Sequence, residues 1–317
     1  HAKYLASEKL AGRGVGTPGV QLARDYIAAE FAKYGLLPGG DGGSYFQSFD
    51  VAVGVKIGDP SSLSLATATP LTLAEQWVPL GLSTSAKVEG EMVFVGYGVT
   101  VKDYGYDDYA GVDVKGKIVL VLRYEPPPKN ANSPFKKFPE YSGHSALRTK
   151  ANNARDHGAI GMILVDLNHD AAGEELLSTS SSLWRGGRSL VAAQIKRGVV
   201  ERRLAAHGIS LAPLKETILA SEKTASIPLT GLAATLQVTL EEQRERADNV
   251  VAILPGGDSA RGGESLVIGA PYHHIGLGHH PAVLHVIADR LAQHDGAWAP
   301  FEARGLWRPF FPTPSPR

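Results

Sequence analysis

Gly116-Lys117-Ile118-Val119-Leu120-Val121-Leu122 is the stretch that decides the fold class. Its apolar run is too short for a stable helix. Its β-branched residues suit a pleated surface, so the segment reads as a strand. Downstream, helical spacing predicts a helix from Ser145 to His157, closed by Gly158. A second apolar, β-branched run, Ile160 to Val165, follows at once and reads as another strand. Strands with intervening helices make an α/β unit.

Upstream of this unit, Met92 to Val95 is a further strand. Downstream, a helix is expected from Arg197 to His207, ending at Gly208. The proline-rich stretch from Pro126 to Pro139 and the serines Ser178 to Ser182 read as loops. The texture changes on both sides of the unit. Near the start, Thr17 is a good N-cap, Pro18 suits the first helical turn and Gly35 suits the C-terminal cap. Val20, Ala23, Ile27, Phe31 and Tyr34 give that helix one apolar face. Residues 36–62 read as loop with short strands. After Pro228, Leu232 to Leu240 alternates as a strand. Asn249 to Leu254 and Ser265 to Ala270 read as buried strands around the turn Pro255-Gly256-Gly257-Asp258. The outer pieces are therefore expected to belong together and the middle to fold alone. Pro281 to His294 has helical spacing, with Leu284, Ile287, Ala288 and Leu291 on one face. Residues 296–317 have no periodicity and are expected to be poorly ordered.

Composition narrows the function classes. The 317 residues carry 32 Lys plus Arg and 32 Asp plus Glu. That balance supplies no electrostatic drive toward nucleic acid or an anionic membrane, and neither is expected as a partner. No window of about 18 apolar residues occurs, so no membrane span is expected. There is no cysteine, so any metal site must use His, Asp or Glu. The start at His1 reads as a mature or fragmentary N-terminus.

Three stretches together resemble one family. The opening carries Leu5-Ala6-Ser7, Leu10-Ala11-Gly12-Arg13, Gly16-Thr17-Pro18-Gly19 and Tyr45-Phe46-Gln47-Ser48-Phe49. The closing stretch is Ala247-Asp248-Asn249-Val250-Val251-Ala252-Ile253-Leu254-Pro255-Gly256, then Val267-Ile268-Gly269-Ala270. Both resemble the co-catalytic zinc aminopeptidases, relatives of bacterial leucine aminopeptidase and of glutamate carboxypeptidase. The middle, with Gly116 to Val121, the helix through Lys150 and Ala154, and Gly158-Ala159-Ile160-Gly161-Met162-Ile163, resembles a protease-associated domain. Members of that peptidase family often carry this insert.

The resemblance implies an incomplete zinc-aminopeptidase α/β sheet domain, residues 1–85 and 229–295, with an inserted protease-associated α/β domain at 86–228. It implies hydrolysis of N-terminal residues from peptides. Two zinc ions would activate a water and a Glu would act as general base. It also implies a secreted or periplasmic protein that meets peptide substrates, or a protein partner through the inserted domain.

The sequence departs from this pattern where the chemistry begins. The family's first zinc ligand is the His of a His-x-Asp motif just after the strand ending Gly-Ala. Here Pro271 stands at that His and His273 at the Asp. No bridging Asp follows, and Glu302 is the one Glu after position 276. The second half of the catalytic domain is therefore expected to be missing. Zinc is expected to be absent or weakly held in this chain, and the chain to be inactive. His273, His274, His279 and His280, with His285 nearby, offer two readings. One is a degenerate zinc site, since imidazole is the commonest metal ligand. The other is a solvated histidine-rich loop, favoured because adjacent side chains point apart and no carboxylate supports them. The alternative function is a non-catalytic binding module built on the protease-associated domain. Asp107-Asp108 reads as a surface loop, with cation binding as its other reading. The charge run Glu241 to Arg246 reads as a solvated strand end or turn. Without covering elements, the strands at 249–254 and 265–270 are expected to expose apolar surface.

Overall fold

The computed structural model describes residues 1–66, 69–137, 140–168, 174–180, 189–221, 224–257 and 266–272. In chain order, helices α1 (Ala2–Leu5) and α2 (Pro18–Lys33) precede strands β1 (Leu37–Pro38) and β2 (Phe46–Ile57). Then come β3 (Ser62–Leu65), β4 (Trp77–Pro79), β5 (Ala86–Phe94), β6 (Thr100–Val101), β7 (Tyr106–Asp107) and β8 (Ile118–Leu122). Helix α3 (Leu147–Asp156), β9 (Gly161–Val165), β10 (Val191–Ile195), α4 (Arg197–Ala205) and α5 (Leu211–Ser221) follow. The series ends with β11 (Ile227–Val238), β12 (Leu240–Val250) and β13 (Ala252–Ile253). The fold class is mixed α/β, and the chain divides into two compact units, residues 1–53 with 244–317, and residues 54–243.

In the 54–243 unit the order of the seven-stranded sheet is β3-β11-β5-β8-β9-β10-β4. The central four, β5, β8, β9 and β10, run parallel. β11 and β4 flank them antiparallel. A parallel centre must be covered on both faces, and every residue of β8, β9 and β10 is buried. The period of two along each strand divides the core. Phe94, Ile118, Leu120, Ile163 and Val165 face one way, onto Val199, Val200 and Leu204 of α4 and Ile218 of α5. Val93, Val119, Val121, Met162 and Leu164 face the other, onto Ala151 and Ala154 of α3. Helix, sheet and helix make three layers.

In the other unit, α2 starts and stops where its residues require. Thr17 is the N-cap with Pro18 at the first position, and Gly35 takes φ +71 after the helix. Gly19 is required at its site, because a Cβ there would lie 1.8 Å from the Leu10 carbonyl oxygen. The expected apolar face is only partly covered: Ala23 is buried, while Val20, Ile27 and Phe31 are half-buried and Tyr34 is exposed.

Two strand expectations are corrected. Asn249 to Leu254 is not a buried strand. It is split between the end of β12 and β13, and Ile253 and Leu254 are exposed. Its partner β1 is two residues long and offers no sheet face. Residues 266–270 form no strand, and Leu266, Val267 and Ile268 are more than three-quarters exposed (83%, 88% and 77%). An apolar run becomes a buried strand only when a pairing strand and a facing layer exist; among the described residues 252–253 pair only with the two-residue β1, and no strand pairs with 266–270. The exposed apolar surface expected of these segments is observed. Residues 36–62 hold more strand than expected, since β2 alone spans twelve residues. The expected helix at 281–294 and tail at 296–317 lie outside the described residues. So do Ser265 and, in the serine loop, Ser181 and Ser182. Among the described residues no helix is long and apolar enough to cross a membrane.

Candidate functional site

In the unit formed by 1–53 and 244–317, the closing motif converges on Asp248. The carboxylate accepts the Arg24 guanidinium from α2 at 2.6 Å and the Ser48 hydroxyl from β2 at 2.5 Å. Tyr272 reaches the same residue, donating its hydroxyl to the Asp248 carbonyl at 2.5 Å. The Arg24 guanidinium also lies over the Phe46 ring, 4.6 Å from its centroid. These side chains, with Phe49 and Pro271, line a cleft of about 790 Å³. Burial pushes the Asp248 carboxyl up, but the Ser48 hydroxyl and Arg24 outweigh it and hold the carboxyl below its ordinary range.

Asp248 therefore serves as an anchor. Both of its oxygens are engaged, so it has little left for a metal or a water. A carboxyl whose folded pKa is lowered stabilises the fold above its unfolded value, and that stability is lost as pH falls through the folded value. Arg24→Ala is expected to cost about 1–3 kcal/mol near neutral pH, as for a hydrogen bond to a charged group. The gap to the parent should begin to narrow below about pH 4, the ordinary value, and close only once pH has fallen through the lowered folded value. Urea unfolding at pH 7 and pH 3 measures it. An undiminished gap at pH 3 would show that Arg24 acts through packing instead.

The zinc ligands implied by resemblance fare as follows. Pro271 has no donor atom for a metal, and it lies exposed beside Tyr272. His273, His274, His279 and His280 lie outside the described residues. Among the described residues no group of three or more His, Cys, Asp or Glu could hold a metal ion. The residues described do not fit the two-zinc centre.

The second polar cluster lies in the 54–243 unit and corrects the reading of Asp107-Asp108 as a surface loop. Asp108 is fully buried. Its carboxylate accepts from the backbone N–H groups of Tyr97 (3.1 Å) and Val99 (3.0 Å) and from the Tyr106 hydroxyl (2.9 Å). Lys150 of α3 is equally buried and donates its ammonium to the Tyr97 carbonyl. Two buried groups of opposite charge thus clamp one turn, Gly96 to Val99. Gly96 takes φ +51 there, and a Cβ on it would lie 2.6 Å from Asp108 Oδ1. Burial pushes the Asp108 carboxyl up to about 7, against the pull of its donors and of Lys150. Burial likewise pushes Lys150 down to about 7, against Asp108 and Glu125. Glu125, nearly buried, ties down the next loop by accepting from the backbone N–H groups of Lys136 (3.0 Å) and Ser142 (2.6 Å). The charge run Glu241 to Arg246 lies exposed along β12, as expected.

Comparison with known proteins bears on this unit first. Residues 86–201 match the PA domain family. No curated protein matches the chain. Among solved structures, an aminopeptidase from Aneurinibacillus sp. strain AM-1 is similar at 22% identity with a TM-score of 0.41, over 82% of this chain and 49% of that one. A zinc aminopeptidase from Bacillus subtilis is similar at 16% identity and TM-score 0.35, over 78% of this chain and 45% of that one. A subtilisin-like protease from Pseudoalteromonas sp. AS-11 is similar at 13% identity and TM-score 0.28, over 62% of this chain and 36% of that one. The chain spans about half the length of the solved aminopeptidases it matches.

Proposed function

We propose that this chain belongs to a peptidase of the zinc-aminopeptidase kind, and that it contributes peptide or protein contact through its PA domain without hydrolysing peptides itself. The PA match over 86–201 supports the first part, together with the aminopeptidase-like motifs on either side. Pro271 carries the second. It stands where the resemblance requires the first zinc ligand, and proline has no donor to offer. By the same resemblance, the protein would act outside the cytoplasm, secreted or periplasmic.

The decisive assay is release of nitroaniline from aminoacyl-nitroanilides with added zinc. The chain is expected to show no turnover above buffer. Turnover abolished by a chelator would overturn the inactive reading and leave the family reading intact. Recovery of an Asp-rich loop and a Glu-Glu pair from the source DNA, in another reading frame beyond Gly278, would do the same.

A further inference from the structure

The loop after β8 leaves the carboxyl end of a central parallel strand, the edge where open α/β sheets bind ligands. It reads Pro126-Pro127-Pro128-Lys129-Asn130-Ala131-Asn132-Ser133-Pro134-Phe135-Lys136-Lys137, with three lysines and no acid. The whole chain is balanced at 32 basic and 32 acidic residues, so the excess is local. Lys129, Lys136 and Lys137 are all exposed, as are Asn130, Ala131 and Asn132 at the tip. Glu140, the exposed acid that follows, offsets one of the three charges. Lys102 and Asp103, beside Tyr104, offset each other.

The loop is held in one shape. Buried Glu125 closes its base, accepting from the backbone N–H groups of Lys136 (3.0 Å) and Ser142 (2.6 Å) and from the Ser142 hydroxyl. Phe135, 2% exposed, plugs the loop into the 54–243 unit, edge-on to the Tyr106 ring with centroids 5.1 Å apart. Between these anchors the tip turns on itself. The Ser133 N–H bonds the Asn130 carbonyl at 3.2 Å, and the Asn132 N–H bonds Asn130 Oδ1 at 2.9 Å. Four prolines restrict the same stretch in the unfolded chain. Ordering completed during folding is not required again on binding, so a preset loop binds more tightly than a mobile one. The lysines thus stand on a fixed support at the ligand-binding edge of the sheet.

We propose that this loop docks an acidic segment of a protein, with Lys129, Lys136 and Lys137 as the charges that meet it. The inference rests on the PA unit being a module for peptide or protein contact, and names the chemistry of what it contacts. Exposed ammonium groups are hydrated point charges, and each surface pair with a carboxylate is weak, so several must act together. A nucleic acid is a longer polyanion, and beyond this loop the balanced charge of the chain supplies it no further attraction.

The test follows the fluorescence anisotropy of labelled hexaglutamate amide titrated with the full chain, at low and at physiological salt. Hexaglutamine amide, hexalysine amide and a thymidine hexanucleotide are the comparison probes. Hexaglutamate should bind in preference to all three, and more weakly at the higher salt. Lys136→Gln combined with Lys137→Gln is expected to weaken binding about tenfold, the loss of two surface charge pairs. Both side chains are exposed, so the midpoint of thermal unfolding should hold. Should it fall, the backbone amide resonances of Lys136 and Lys137 in the parent read the same contact and must shift on titration. Lys87→Gln, on exposed β5 surface, should leave binding unchanged. Binding that ignores the two loop lysines, or that falls equally in Lys87→Gln, overturns this inference, as does a hexanucleotide bound as tightly as hexaglutamate. Hexaglutamine or hexalysine bound in place of hexaglutamate also overturns it and spares peptide contact by the PA unit. Absence of binding by every peptide overturns both.

Discussion

Replacing Asp108 by Ala is expected to destabilise the 54–243 unit by about 3–5 kcal/mol, the cost of removing one member of a buried charged pair. Three donors lose their acceptor at once: the Tyr97 and Val99 backbone N–H groups and the Tyr106 hydroxyl. Water cannot readily replace it at a fully buried position. Lys150, already pushed down to about 7, would lose the main charge that favours its ammonium and be pushed lower still. For a unit of this size the midpoint of thermal unfolding should fall on the order of 10 °C. Asp108→Asn keeps one acceptor oxygen and the shape, so it should recover part of the loss. Differential scanning calorimetry gives both numbers. A change under about 1 kcal/mol in Asp108→Ala, the range of an exposed charge, would mean the carboxylate holds nothing together.

Trp77→Ala should cost a similar amount, about 3–5 kcal/mol, because it empties a large buried volume. Trp77 is fully buried on β4, pairs with Ile195 at the sheet edge, and donates its indole N–H to the Leu71 carbonyl at 3.2 Å. It packs in the same cluster as Phe94 and Ile118. The position also bears on where the folded module starts. Limited proteolysis of the parent should leave a resistant fragment that begins before Trp77, because β3 and β4 complete the sheet. A resistant fragment of 86–228, together with an unchanged midpoint in Trp77→Ala, would refute that boundary.

The parts of this fold legible in sequence are those whose signal is local. Ile118 to Leu122 and Ile160 to Val165 are dense in β-branched and large aliphatic residues, and α3 ends at a glycine with φ +88. β10 is different. Val191-Ala192-Ala193-Gln194-Ile195 has weak strand preference and a polar residue, yet Gln194 is fully buried. Its state comes from pairing with β9 and from the Leu177 N–H that Gln194 Oε1 accepts. Asp108 was opaque for the same reason. Tyr-Asp-Asp-Tyr looks like surface, and the groups that satisfy the carboxylate sit at Tyr97, Val99 and Tyr106, with Lys150 far along the chain. Leu266 to Ile268 erred the other way: apolar content states a need for cover and cannot say that cover exists.

The chain leaves one unit at Val53 and returns at Arg244, within β2 and β12, which pair with each other. Inside the 54–243 unit the two ends are already clipped together. The Gly58 N–H bonds the Thr239 carbonyl at 2.8 Å, and Lys56 pairs with Glu241 at 2.7 Å. An unfolded excursion of about 190 residues would charge the outer unit a closure entropy of roughly 4–5 kcal/mol, growing as the logarithm of its length. Once folded, the excursion behaves as a tight hairpin and that charge vanishes. Loop-closure entropy therefore favours an order of assembly in which the middle of the chain folds before the outer segments, though earliest and latest in sequence, meet.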